Sequence, residues 1–136
     1  MESMSLQQLR IVEDQLRQIR ESIHNLEVWN ESLTDVNELL SSPDGMKTLA
    51  ADCMLIEAIG ESIKHIDERT RQQLLPVRPG IPWAAVKGMR NRIAHGYFDI
   101  NTDFVWDVLR NDLPALRDAI DYFIENLYEI IPVEQV

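Results

Sequence analysis

The stretch LQQLRIVEDQLRQIRESIHNL, residues 6–26, decides the fold class. Leu9, Val12, Leu16, Ile19, Ile23 and Leu26 recur at alternating steps of three and four, which draws one apolar stripe along a helix. The same period returns twice. A second stripe runs through Leu49, Cys53, Ile56, Ile63 and Ile66, after Ser42-Pro43, where serine suits the N-cap and proline the first turn. A third runs through Leu109, Leu113, Leu116, Ile120, Phe123, Leu127 and Ile130. Pro114 lies inside it and predicts a kink or a helix restart near Asn111-Asp112. Between the second and third stripes, Pro76-Val77-Arg78-Pro79-Gly80-Ile81-Pro82 is a connector that no helix traverses. Pro82 then opens a short helix with Trp83, Val86, Met89 and Ile93 on one face, ending at His95-Gly96. A weaker helix around Ser32 to Leu40 joins the first two. No β-type alternation of useful length appears. The expectation is an all-α antiparallel bundle of about four to five helices, forming a single domain over residues 1–136.

Composition agrees. The chain has 136 residues, 45% of them hydrophobic and 26% charged, which fits one globular domain and excludes wholesale disorder. Five glycines and six prolines are too few for an all-β chain with many tight turns. No apolar run approaches the ~18 to 20 residues that cross a bilayer. The N-terminus, MESMSLQQLR, has no basic region followed by an apolar stretch. A single cysteine, Cys53, cannot close an intrachain disulfide. These features point to a cytoplasmic protein with no membrane contact. Three apolar stripes plus Trp29, Trp83 and Trp106 are generous for so small a bundle, and they point to a homodimer.

The net charge of −10 argues against general nucleic-acid binding. One window reverses the sign. From Lys64 to Arg92 seven basic residues face only Asp67 and Glu68. Such an island either accepts a phosphate or forms an ordinary solvated face, and charge alone does not choose.

The stretch from Pro82 to Phe98 holds the chemistry. On a helix Asn91 and His95, four apart, share one face, and a long arginine at position 90 can swing toward the frayed end. A cation, an amide, an imidazole and the Tyr97 phenol thus gather at one helix terminus. Histidine moves protons near neutrality and arginine binds phosphate in a fork. Together they suit metal-free RNA cleavage, in which the 2′-hydroxyl attacks the adjacent phosphorus, a requirement that excludes DNA, and arginine stabilises the charged transition state. Arg92 and Lys87 are candidate phosphate contacts. His24, His65 and His95 show no paired spacing, so neither a metal nor a cofactor is expected. The plainer alternative is that cations and a histidine complement the dipole of a helix stopped at His95-Gly96.

The octet Arg90-Asn91-Arg92-Ile93-Ala94-His95-Gly96-Tyr97 resembles the Arg-x4-His-x-Tyr motif of HEPN domains, specifically the HepT toxins paired with minimal nucleotidyltransferases. Ile59-Gly60-Glu61, Ile81-Pro82-Trp83, Gly88-Met89, Trp106 and Asn111-Asp112-Leu113-Pro114 resemble the family as well. The resemblance implies a HEPN-like homodimer whose two motifs face each other across a cleft. It implies a toxin that is a metal-independent endoribonuclease, with Arg90 and His95 catalytic and Asn91 supporting. It also implies a nucleotidyltransferase antitoxin that adenylylates Tyr97. The alternative is a non-catalytic helical partner or regulatory subunit of a nucleotidyltransferase, with the motif as its docking surface.

Overall fold

The computed structural model describes residues 1–93 and 99–135. Its long helices are α1 (Leu6–Asn30), α2 (Pro43–Arg69) and α6 (Leu113–Ile130). Shorter ones are α3 (Trp83–Lys87), α4 (Met89–Ile93) and α5 (Thr102–Asp107). Each long helix starts where its sequence provides a cap or a proline. The Ser5 hydroxyl accepts from Gln8 N at 3.1 Å and the Ser42 hydroxyl from Gly45 N at 2.9 Å, each satisfying a donor with no partner in the first turn. Pro114 sits in the first turn of α6, after a single π turn at Val108–Asp112. The restart read from Pro114 falls where the sequence put it.

Side-chain pairs set the register. Glu13 accepts from Tyr128 at 2.8 Å, Arg20 meets Asp121 at 2.7 Å and Glu27 meets Arg117 at 2.6 Å. The numbers rise along α1 and fall along α6, so those helices run antiparallel. Gln8 with Arg69, and Asn30 with Asp52, show the same for α1 and α2. Such surface pairs contribute little energy individually. Stability comes from the stripes: Leu9, Val12, Leu16, Ile19, Ile23 and Leu26 of α1 all lie buried against Ile56, Ile63 and Ile66 of α2 and Leu116, Ile120, Phe123 and Leu127 of α6, in one continuous core.

Three expectations change. The linker at 32–40 forms only a short 3-10 turn, Val36–Leu39, capped by the Asp35 carboxylate, which accepts from Asn37 N. Residues 102–107, where no helix is expected, form α5, with the Asn101 side chain accepting from Phe104 N at 3.1 Å. The stripes offered as a motive for dimerisation close on one another within one chain. Trp83 and Trp106 are half-buried, so the large apolar side chains still exposed include Trp29, Met46 and Met54.

One polar pair sits inside the α1–α2 seam. Asn30 donates through Nδ2 to Asp52 Oδ1 at 2.8 Å and to Leu26 O at 2.8 Å. Asn30 Oδ1 and Asp52 Oδ2 are left as buried acceptors with no donor. A proton on Asp52 supplies the donor that this pair lacks. Burial accordingly pushes the Asp52 carboxyl from its ordinary 3.8 up to about 6, against the opposing pull of the Asn30 hydrogen bond.

A raised folded-state value means that the fold favours neutral Asp52. Its contribution is full below the unfolded value near 4 and is lost as pH rises through about 6, a swing on the order of 2–3 kcal/mol. Asp52→Asn keeps a neutral side chain with a donor at every pH. Urea midpoints between about pH 4 and pH 8 should therefore decline less in Asp52→Asn than in the parent, with the variant ahead at pH 8. Parallel pH profiles would show that Asp52 is charged throughout.

Candidate active site

The motif segment rests on α2 at Gly60. A Cβ there would lie 2.9 Å from the Val86 carbonyl oxygen and 3.7 Å from that of Lys87, so only glycine lets the backbone of α3 come this close. Trp83, at the start of α3, stacks on the buried Phe123 ring of α6, with centroids 5.8 Å apart. Its indole nitrogen donates to Arg78 O at 2.9 Å. At the other end of α3 the Lys87 ammonium meets Asp67 of α2 at 2.7 Å. Stack, close contact and ion pair pin α3 at three points.

The continuous helix expected from Pro82 divides at Gly88, whose N–H still bonds Ala84 O at 3.2 Å while α4 restarts at Met89. Glycine, the weakest helix former after proline, occupies the break. In α4, Met89 and Ile93 are buried and Arg90, Asn91 and Arg92 are exposed. The three polar candidates therefore stand together on one short helix whose apolar residues anchor it. His95 and Tyr97 lie outside the described residues.

Lys87 departs from its expected role. Its charge is directed at the largely buried Asp67 on α2, so it serves to hold α3 in place. The basic island disperses in the same way. Arg69 donates to Gln8 at 3.0 Å, Arg71 pairs with Glu2 and Arg78 lies 4.0 Å over the Tyr122 ring. Much of the Lys64–Arg92 island is thus spent on tying elements together, as the solvated-face reading allows, while Arg90 and Arg92 at its end lie exposed on α4.

Arg92 lies 4.3 Å over the Phe104 ring of α5, a cation–π stack that fixes the guanidinium plane. It also faces Asp112. Burial pushes the Asp112 carboxyl up, neighbouring Asp107 adds to that, and Arg92 opposes both. Asn111 donates to Asp107. The sequence marks Asn111-Asp112 by the helix restart and by its resemblance; the structure places Asp112 beside the motif helix. Phe104 was missed, since an aromatic at that position carries no signal of the arginine above it. Among the described residues no group of three His, Cys, Asp or Glu side chains gathers as a metal site. Among them, too, no helix is long and apolar enough to cross a membrane.

If α3 depends on the close approach at Gly60, Gly60→Ala forces backbone to move. The expected cost is about 1–3 kcal/mol in chemical unfolding. An unchanged urea midpoint would show that α3 does not bear on α2.

Comparison with known proteins bears on this site. A family model described as Ribonuclease HepT-like matches residues 12–123. A "Putative RNase" of Methanocaldococcus jannaschii is 30% identical over 81 residues, covering 60% of this chain and 64% of that protein. A "Putative RNase" of Caldanaerobacter subterraneus subsp. tengcongensis is 26% identical over 70 residues, 52% of this chain and 59% of that protein. The "Probable ribonuclease HepT" of Thermococcus cleftensis is 28% identical over 108 residues, 79% of this chain and 91% of that protein. The chain thus spans under two thirds of the first two and most of the third. No solved structure matches it. With the model covering the bundle from the first turns of α1 into α6, the chain belongs to the HepT-like ribonuclease family.

Proposed function

We propose that this protein is a metal-independent endoribonuclease and the toxin of a toxin–antitoxin pair. The observation that carries the reading is α4, a helix pinned by buried Met89 and Ile93 that displays Arg90, Asn91 and Arg92 to solvent two residues before His95. The 2′-oxygen of RNA attacks the adjacent phosphorus and His95 accepts its proton. Arg90 stabilises the charge that grows on the phosphorane-like transition state. The bond to the 5′-oxygen then breaks, and that oxygen takes up a proton, leaving a cyclic phosphate and a free 5′-hydroxyl. DNA lacks the attacking hydroxyl. Asn91 supports His95, and Arg92 adds a phosphate contact.

In this reading the active unit is a homodimer with both motifs near the two-fold axis. A nucleotidyltransferase antitoxin adenylylates Tyr97, two residues beyond His95, placing phosphate and bulk where the RNA phosphate must sit. Co-expression with that partner should add mass to the chain in AMP steps, located on Tyr97.

Arg90→Ala should lower the cleavage rate by about 10² to 10³. His95→Ala should lower it by about 10² to 10⁴. The exposed Arg90 fills no core space, so its removal should shift stability by roughly 1 kcal/mol or less. Cleavage should persist in EDTA, and light scattering at micromolar concentration should give a dimer mass. Rescue of an EDTA-inhibited enzyme by a divalent ion would defeat the mechanism. Purified, unmodified parent protein that cleaves no RNA would leave the alternative standing, a helical partner that docks on a nucleotidyltransferase through α4.

A further inference from the structure

A cavity of about 140 Å³ opens behind α4, among α2, α3, α5 and α6. Its walls are apolar, with Ile59, Met89, Val108 and Leu116 among them, while Arg92, Asn111 and Asp112 line it as well. The reading of α4 as a ribonuclease site does not use this space. Apolar cavities near 150 Å³ accept a single benzene ring, so this one has room for one six-membered ring. A purely apolar guest is a poor match, because three hydrogen-bonding side chains line the space. Arg92 supplies donors in a plane set by its stack on Phe104. Asn111 donates one amide hydrogen to Asp107 and keeps a second donor and its carbonyl acceptor. Asp112 is a carboxyl at the exposed edge of the cavity, where partial desolvation raises its affinity for a proton. A flat ring with donors and acceptors on its edge suits this set.

We propose that the cavity is a base-binding pocket for the pyrimidine of a nucleotide whose phosphate lies on α4. Met89 and Arg92, three residues apart, face the cavity from the helix that displays Arg90 and Asn91, so base and phosphate are held by two sides of one short element. The inference rests on the ribonuclease reading for its source of nucleotides and makes that enzyme selective for the base beside the cut. A nucleobase also reaches the protein as AMP. Adenine has two fused rings, and the size of the cavity favours the pyrimidine.

Titration of the full chain with UMP, CMP, AMP and ribose 5-phosphate tests this directly. UMP or CMP should bind about tenfold or more tightly than ribose 5-phosphate, a gap on the order of one good edge contact plus ring burial. Ala115, on the exposed first turn of α6, lines the opening. Ala115→Phe should collapse that gap to within about twofold while ribose 5-phosphate binds as before. Ala85→Phe, on the wall formed by α3, serves if thermal melting shows that the first variant does not fold. Equal binding of all four ligands by the parent, a gap that survives a folded blocking variant, or AMP as the tightest ligand would each overturn the proposal. Base-dependent binding in a protein that cuts no RNA removes the ribonuclease reading and keeps the pocket. Cleavage with no base dependence does the reverse.

Discussion

The contact between Gly60 and the carbonyl of Val86 governs where the motif segment sits. Helices with ordinary side chains at their contact pack 8–10 Å apart, so a backbone-to-side approach of this kind needs a missing Cβ. Because α3 is only five residues long, it has little stability of its own and takes its position from what it touches. Gly60 determines how near it lies, the Trp83–Phe123 stack secures its start, and Lys87–Asp67 secures its end. The candidate site residues Arg90, Asn91 and Arg92 then come after Gly88, on a helix that inherits its placement from α3.

A second constraint works at the far end of the long helices. Arg110 lies 4.4 Å over the Trp106 ring and donates to Asn30 O at 3.1 Å and to Leu33 O, closing the C-terminal end of α1 with a cation that also complements its dipole. The same Asn30 holds buried Asp52. Next to it, burial with Asp52 and Glu57 alongside pushes the Cys53 thiol up to about 11, which makes it a poor nucleophile. The seam is thus polar without being reactive. Its titratable group adjusts stability, and the candidate site lies about two turns further along α2, beyond Gly60.

The long helices were legible because a 3–4 apolar period sustained over several turns has few alternatives in water. All six stripe residues of α1 are buried, and Pro114 marks the restart of α6. Short elements escaped the same logic. Five or six residues cannot display a period, so α5 was invisible, and the division at Gly88 was hidden because Met89 and Ile93 keep the register of an unbroken helix. The sequence offered Arg90, Asn91 and Arg92 as candidates, and the structure adds neighbours that the sequence did not announce. Nothing in the spacing of Lys87 and Asp67, twenty residues apart, announces an ion pair. Nor does it place Phe104 beneath Arg92.

That difference bears on how an acidic protein handles a polyanion. A chain of net charge −10 repels RNA at long range, and salt screens the repulsion beyond roughly 8–10 Å. At contact, local charge decides the outcome. Lys87 and Arg71 are paired with carboxylates, so they add little to any field at the surface. Arg90 and Arg92 on α4 remain as exposed cations close to one another. In the proposed reading, binding through two forks on one short helix is local and reads phosphate alone, which DNA and RNA share. Discrimination then has to come from what lies beside the phosphate. Arg92 belongs at once to the exposed face and to the lining of the apolar cavity, so in the proposed nucleotide complex it is the residue that would couple the phosphate side to the base side.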